Sequence, residues 1–288
     1  MSFQALRLPR RFSGSTRVLP GFGLSMGISV LFISLVLLLP MVGLFGQLAG
    51  LSLAEYWAII SDPRVVASYT VTIGAAGVAA LVNAVFGLLL AWVLVRYEFP
   101  GKRFLDALMD LPFALPTAVA GITLATLYAK SGWAGGLLEP LGFKVAYTWV
   151  GIALAMAFTS IPFVVRTVQP VLEDMPAEID EAAVSLGAGD GVAFRRVILP
   201  HLWPALVTGT GLAFVRSLGE FGAVIFIAGN APYETEITAL MIFVKLQEYD
   251  FAGASAIASV VLLVSLALLL AINIWQGRFV RRLHGGKG

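Results

Sequence analysis

The sequence predicts an all-α membrane protein with six transmembrane helices in a single domain, on three observations. Hydrophobic residues fill 59% of the 288 positions and charged residues 12%, about half the charged share of a soluble domain. A water-soluble fold has nowhere to bury that much apolar surface. The apolar residues also come in charge-free runs of span length, about 20 residues or more, without the alternation of a half-buried strand or a surface helix. The basic residues flank these runs unevenly, as they do in polytopic membrane proteins.

Each span is predicted where charge is missing. No Asp, Glu, Lys or Arg lies between Arg17 and Glu55, and residues 22–46 form the first span. Its basic flank (Arg7, Arg10, Arg11, Arg17) resembles the start of a signal peptide. The run is too long for one and lacks a small-x-small cleavage site, so the span is expected to be retained. The second span covers about residues 66–95. The third covers 104–128, with Asp106 and Asp110 near its start, and the fourth 145–165. The fifth, 203–228, carries the charges deepest in any span, Arg216 and Glu220; the sixth is 251–276. Trp57, Trp149 and Trp275 fall near span ends, where interfacial aromatic belts are expected. The longest connection, 166–202, is too short for a separate soluble domain, so residues 1–288 read as one.

Orientation follows from the basic residues. With the N-terminus inside, fourteen of them fall on the cytoplasmic side (Arg7 to Arg17, Arg96, Lys102, Arg103, Arg166, Arg195, Arg196, Arg278, Arg281, Arg282, Lys287) and four outside (Arg64, Lys130, Lys144, Lys245). Both termini and the fourth connection are therefore expected in the cytoplasm. In that connection Asp174 suits an N-cap and Pro176 a first turn, so a short helix is expected through Glu181, Ala182 and Ala183, stopped by Gly187. Gly187 and Gly189 permit a corner, and Asp190 can cap a second short helix that ends before Pro200. The small residues Ala182 and Ala183 admit the close approach of another protein. An acidic solvated loop with no partner is the alternative reading.

The spacing Glu181-Ala182-Ala183, three residues, Gly187, nine residues, Val197-Ile198-Leu199-Pro200 resembles the EAA loop of binding-protein-dependent ABC importers, departing only by Val197 at the Ile position. A narrower resemblance runs from about Val18 to Arg282, carried by residues 106–127, 148–173 and 216–230. There the chain is similar to the T-type permeases of sulfate/thiosulfate importers. The resemblance implies the fold of a type I ABC importer permease, with residues 169–202 as a coupling loop that fits a groove on an ATPase. It implies import of sulfate or thiosulfate across the bacterial inner membrane by alternating access. The implied partners are a homologous second permease, forming a heterodimer with this chain, two copies of an ATP-binding subunit and a periplasmic sulfate-binding protein. ATP is bound and hydrolysed by those subunits, and no cofactor belongs to this chain. Pieces of residues 216–230 also recur in molybdate and tungstate permeases. A secondary anion transporter would suit Arg216 and the prolines but not the EAA loop.

The path for an anion has to come from the spans. Pro112 and Pro116 lie four apart in the third, on one helix face, and each removes a backbone donor, so a break is expected there. Broken membrane helices are tolerated where they are buried in protein or line a watery cavity, and a half-helix N-terminus attracts anions. Thr117 adds a hydroxyl. A packing kink is the alternative. Arg216 and Glu220, at i,i+4, are expected to neutralise each other, either on the anion path or as a structural ion pair. Ser217, Gly219 and Gly222 keep that face narrow, and Asn230 ends the motif on the outer side. His201 and His284 read as solvated.

Catalysis on this chain has little support. It has no G-x-x-x-x-G-K-[ST] phosphate loop, no cysteine and two isolated histidines, which leaves no ATP site of that kind, thiolate or metal cluster. The basic residues sit beside apolar runs, so the pI of about 9.0 marks topology and does not mark a nucleic-acid surface.

Overall fold

The computed structural model describes residues 22–284 except 177, 180, 181, 183, 184 and 186, with side chains to residue 277. Among the described residues five helices are long and apolar enough to cross a membrane. The first, α1 (Phe22–Leu48), forms a unit of its own. A π-turn at Ser34–Leu38 interrupts it, with the Leu39 N–H reaching back five residues to Ser34 O. Pro40 follows, and the widened turn makes room for a residue that has no N–H and crowds the carbonyl behind it.

The second unit begins with α2 (Leu53–Ile60), started by a capping box in which Ser52 and Glu55 bond reciprocally. The Ser52 hydroxyl and then its N–H hold the Glu55 carboxyl below the usual range. Asp62 caps α3 (Pro63–Arg96) by accepting from the N–H groups of Arg64 and Val65. At 34 residues this helix is about 51 Å long. Then come α4 (Lys102–Met109), α5 (Leu111–Ala114), α6 (Thr117–Tyr128), α7 (Trp133–Leu138) and α8 (Trp149–Glu173). After the loop run α9 (Asp190–Leu218), α10 (Val224–Ile227), α11 (Thr238–Gln247) and α12 (Phe251–His284). The ends of this bundle are called outer and inner after the orientation that the basic residues predict.

α3, α8 and α9 pack on one another, with α12 against α9 and α11 against α12. In lipid no hydrophobic force draws helices together, so close packing of small residues has to. Ala75, Ala76, Ala79 and Ala80 of α3, Ala155 of α8 and Ala213 of α9 are almost fully buried. All three helices meet at Val164: a Cβ on Gly87 would lie 2.8 Å from its Cβ, and one on Gly209 3.0 Å from its Cα. Apolar clusters fill the outer half (Ile152, Met156, Ile227) and the inner half (Val165, Leu172, Leu202). A buried polar layer joins the helices: Asn83 Nδ2 donates to Ala157 O (3.0 Å) and Ser160 Oγ (2.8 Å), and Ser217 Oγ donates to Ser160 Oγ (3.1 Å).

Several expected boundaries shift. The third span is in three pieces, α4 to α6. The fourth continues to Glu173, which makes Asp174 its C-cap and not the N-cap of a following helix. The expected short helix before Pro200 is instead the start of α9. Gly189 is its N-cap, with Asp190 one residue inside, and a second π-turn, Phe194–Ile198, carries the helix past Pro200. The Leu199 N–H again reaches five residues back, to Phe194 O, as in α1. The fifth span stops at Leu218, ten residues before its expected end. Trp57 is exposed, as a belt residue should be, whereas Trp149 packs its ring on Gly74 of α3.

Candidate functional site

Two breaks in the spans meet in the bundle. The first is at Leu115 and Pro116, whose ψ angles of 135° and 129° are extended and not helical. Proline forces the residue before it out of the helical region, and α6 restarts at Thr117. The N–H groups of Thr117 and Ala118 then have no intrahelical carbonyl to meet, and such an end favours negative charge. The second break follows α9, where Gly219 caps the helix and the Glu220 N–H donates to Ser217 O. The Glu220 carboxylate ties the turn together, accepting from the Ala223 N–H at Oε1 (3.0 Å) and facing Arg216 Nη1 across 2.8 Å at Oε2.

The breaks interlock. A Cβ on Gly222 would collide with Thr117 Oγ1, and one on Gly121 would collide with the Ala223 carbonyl oxygen. Glycine is required at both places for close approach. The structure thus brings Thr117, Glu220 and, through its ion pair, Arg216 to one region. That pair is asymmetric: the Glu220 side chain is 1% exposed and the Arg216 side chain 37%. Glu220 is sealed in protein, while the guanidinium, with five N–H donors, has no other protein partner among the described residues.

The other residues expected on the path are placed differently from one another. Ser217 is fully buried, its hydroxyl committed to Ala213 O and Ser160 Oγ. It belongs to the packing of α9 on α8. Pro116 stands exposed at the start of α6, but the break separates it from Pro112, which is buried in α5, so the two do not share a helix face. Asn230 has φ of +56° and donates from Nδ2 to Ile225 O in the outer loop.

The loop between α8 and α9 shows only part of the motif that its spacing suggests. Glu181 and Ala183 lie outside the described residues. Ala182 is helical and exposed, and Gly187 turns the chain with φ of +76° where a Cβ would meet nothing within 4 Å. Glycine is needed there for its backbone and not for space. Leu199 is half-buried and Pro200 exposed within α9, at the point where the loop becomes a span. His201 is exposed, as expected.

Two constellations escaped the sequence reading. Arg166 reaches from α8 to Asp106 of α4 and to Asp110, which joins α4 to α5, at 2.6 Å from Asp106 Oδ1 and 2.7 Å from Asp110 Oδ2, and fastens the first piece of the broken span. Asp106 and Asp110, i,i+4 beside a span, were the available signal. The other sits at the inner end of α3, where the Trp92 ring meets Phe194 edge-on at 5.3 Å and lies 5.3 Å from the Arg96 guanidinium carbon. Trp and Arg at i,i+4 was its signal.

The sequence is also similar to known proteins. Residues 83–285 match a family described as binding-protein-dependent transport system inner membrane component. Over 271 residues the chain is 62% identical to a Salmonella typhimurium protein named sulfate transport system permease protein CysT, covering 94% of this chain and 98% of that one. The Escherichia coli protein of the same name gives the same identity and coverage. Among solved structures, a chain of a bacterial ABC transporter involved in the import of the acidic polysaccharide alginate aligns with a TM-score of 0.69 at 18% identity, over 90% of this chain and 96% of that chain. At that identity the likeness concerns the fold alone.

Proposed function

This chain belongs to the binding-protein-dependent transport system inner membrane component family, and we propose that within it the chain is a pore-forming permease subunit of an ATP-driven importer of sulfate. The observation that carries this reading is the 62% identity to sulfate permeases over 94% of the chain. Membership of the family sets aside the secondary transporter. In the full assembly this chain pairs with a homologous second permease. Two ATP-binding subunits dock from the cytoplasm on the loop that turns at Gly187, and a periplasmic binding protein delivers sulfate. Both termini are cytoplasmic, in agreement with the fourteen-to-four distribution of basic residues.

The geometry supports a role for Arg216 on the path. Its free donors fit the paired oxygens of an oxyanion, and the start of α6 adds a second attraction for negative charge. An arginine that held a dianion tightly would trap it. Glu220, sealed behind the guanidinium, competes for the same donors and weakens the hold, so the anion can leave. Thiosulfate has the same charge and a similar tetrahedral outline and is the expected second cargo.

Uptake of labelled sulfate tests the reading in cells that carry this chain with its partner subunits and lack their own sulfate importers. Import that unlabelled thiosulfate inhibits and molybdate or tungstate leaves intact supports it. Import of labelled molybdate in place of sulfate refutes it.

A further inference from the structure

α3 is built unlike the spans that flank the cytoplasmic loop. α8 carries Pro162 and Pro170 in its interior, and α9 carries Pro200 and Pro204 with a π-turn ahead of them. Each proline removes a rung of the hydrogen-bond ladder and gives the helix a place to bend. The one proline of α3 is Pro63 in its first turn, where no rung is lost, and the helix then runs unbroken to Arg96.

Both feet of the loop rest on the inner end of this rod. The chain leaves α8 at Met175, whose sulfur accepts from Arg96 Nη2 at 3.5 Å, and returns at Phe194, whose ring meets Trp92 at an interplanar angle of 89°. Met175 is buried, and Ile179 and Phe194 pack into the same inner cluster as Trp92. At the outer end Arg64 grips Glu236 through two hydrogen bonds, Nε to Oε2 at 2.7 Å and Nη2 to Oε1 at 2.8 Å. Thr72 Oγ1 accepts from the Thr238 N–H at 2.9 Å, and the Ser68 hydroxyl donates to Thr238 Oγ1 at 3.4 Å. The outer loop between α10 and α11 is therefore tied to the first turns of the helix whose last turn holds the cytoplasmic loop.

We propose that α3 is a strut that carries displacement of the cytoplasmic loop to the outer loop, residues 228–237, so that the outer mouth responds to what docks inside. The inference rests on the loop's being the ATPase docking element. A close-packed interior transmits strain instead of absorbing it, and of the helices that meet the loop α3 has no interior proline at which to yield. Trp92 and Glu236 are positioning residues here, acting through the helix between them.

The chain has no cysteine, so a spin label on a single Tyr233→Cys reports the outer loop and one on Val192→Cys the foot of the inner loop. Both are read in the complex purified with its ATPase subunits, with and without a non-hydrolysable ATP analogue. In the parent complex both labels respond. Trp92→Ala is expected to retain the ATPase subunits and the response at position 192 while losing more than half of the response at position 233. Trp92→Phe, which keeps a ring partner for Phe194, restores it. Glu236→Gln loosens the outer end and is expected to give the same pattern; if Trp92→Ala does not assemble, Glu236→Gln decides alone. A full response at position 233 in an assembled variant overturns the strut, as does a parent complex whose outer label never responds. A parent chain that fails to copurify with the ATPase subunits refutes the docking role itself, which is a different result.

Discussion

Replacing Arg216 and Glu220 by glutamine, singly and together, separates an arginine that meets the anion from one that only holds a turn. Arg216→Gln leaves the Glu220 carboxylate buried with a single N–H donor, that of Ala223. Breaking a buried pair in this way costs about 3–5 kcal/mol, and the 37% exposure of Arg216 puts the loss near the low end, about 3 kcal/mol. Glu220→Gln keeps an amide oxygen for Ala223 and leaves a guanidinium that reaches out of the protein, so about 1 kcal/mol is lost. With both changed no buried charge lacks a partner, and the double variant should be destabilised by only about 1 kcal/mol, a coupling of roughly 3 kcal/mol. Thermal unfolding of the purified complex measures this part. Uptake measures the other. A charge-assisted bond to the anion contributes about 1.5–3 kcal/mol, so the double variant should recover its stability and still import sulfate roughly 10- to 150-fold more slowly than the parent. A double variant that recovers both stability and uptake refutes the path role and leaves the pair as packing.

Three further outcomes are expected. At Gly187 the backbone is left-handed and the surroundings empty, so Gly187→Asn should bind the ATPase subunits normally, whereas Gly187→Val, at a cost of about 1–2 kcal/mol, should lose binding in a copurification assay. Alkaline phosphatase fused after Asp190 should be inactive and after Tyr233 active; the reverse would overturn the orientation. Asn83→Ala removes two hydrogen bonds from the buried polar layer and should lower stability by about 1 kcal/mol, measured by thermal unfolding, with ATPase binding unchanged.

What the sequence revealed depended on whether the signal was local. The long spans were legible because a charge-free run is a property of contiguous residues. The break of the third was legible too, since Pro116 acts on its own neighbours. The early stop of the fifth was not. Residues 221–228 remain apolar past Leu218, so hydropathy marks no end, and the signal was Gly219 and Gly222, which read equally well as a narrow helix face. Pro200 read as a stop because a proline in a regular helix is one; the π-turn that accommodates it leaves no mark in composition. Ser217 looked like a path residue from its neighbours Arg216 and Glu220. Helix phase instead turns its hydroxyl onto Ser160, 57 residues away in sequence. The partners of Asp106 and Asp110, and the meeting of Trp92 with Phe194, are likewise long-range and carry no spacing of their own. Of the proposed docking loop, the spacing from Glu181 to Pro200 was legible because it is local, and the described residues add the conformation of Gly187 and the path of Leu199 and Pro200 into α9.

The central claim is that this chain forms a path for sulfate driven by ATP that other subunits hydrolyse. The direct measurement is sulfate accumulation in lipid vesicles that hold this chain, its second permease and the ATPase subunits, with ATP sealed on the side of the cytoplasmic loop and the binding protein with labelled sulfate on the other. The account predicts accumulation that requires ATP and the binding protein, that falls to background when this chain is omitted, and that slows roughly 10- to 150-fold when the chain carries the Arg216→Gln, Glu220→Gln pair. Accumulation that continues without this chain, or that proceeds without ATP down an ion gradient, contradicts it.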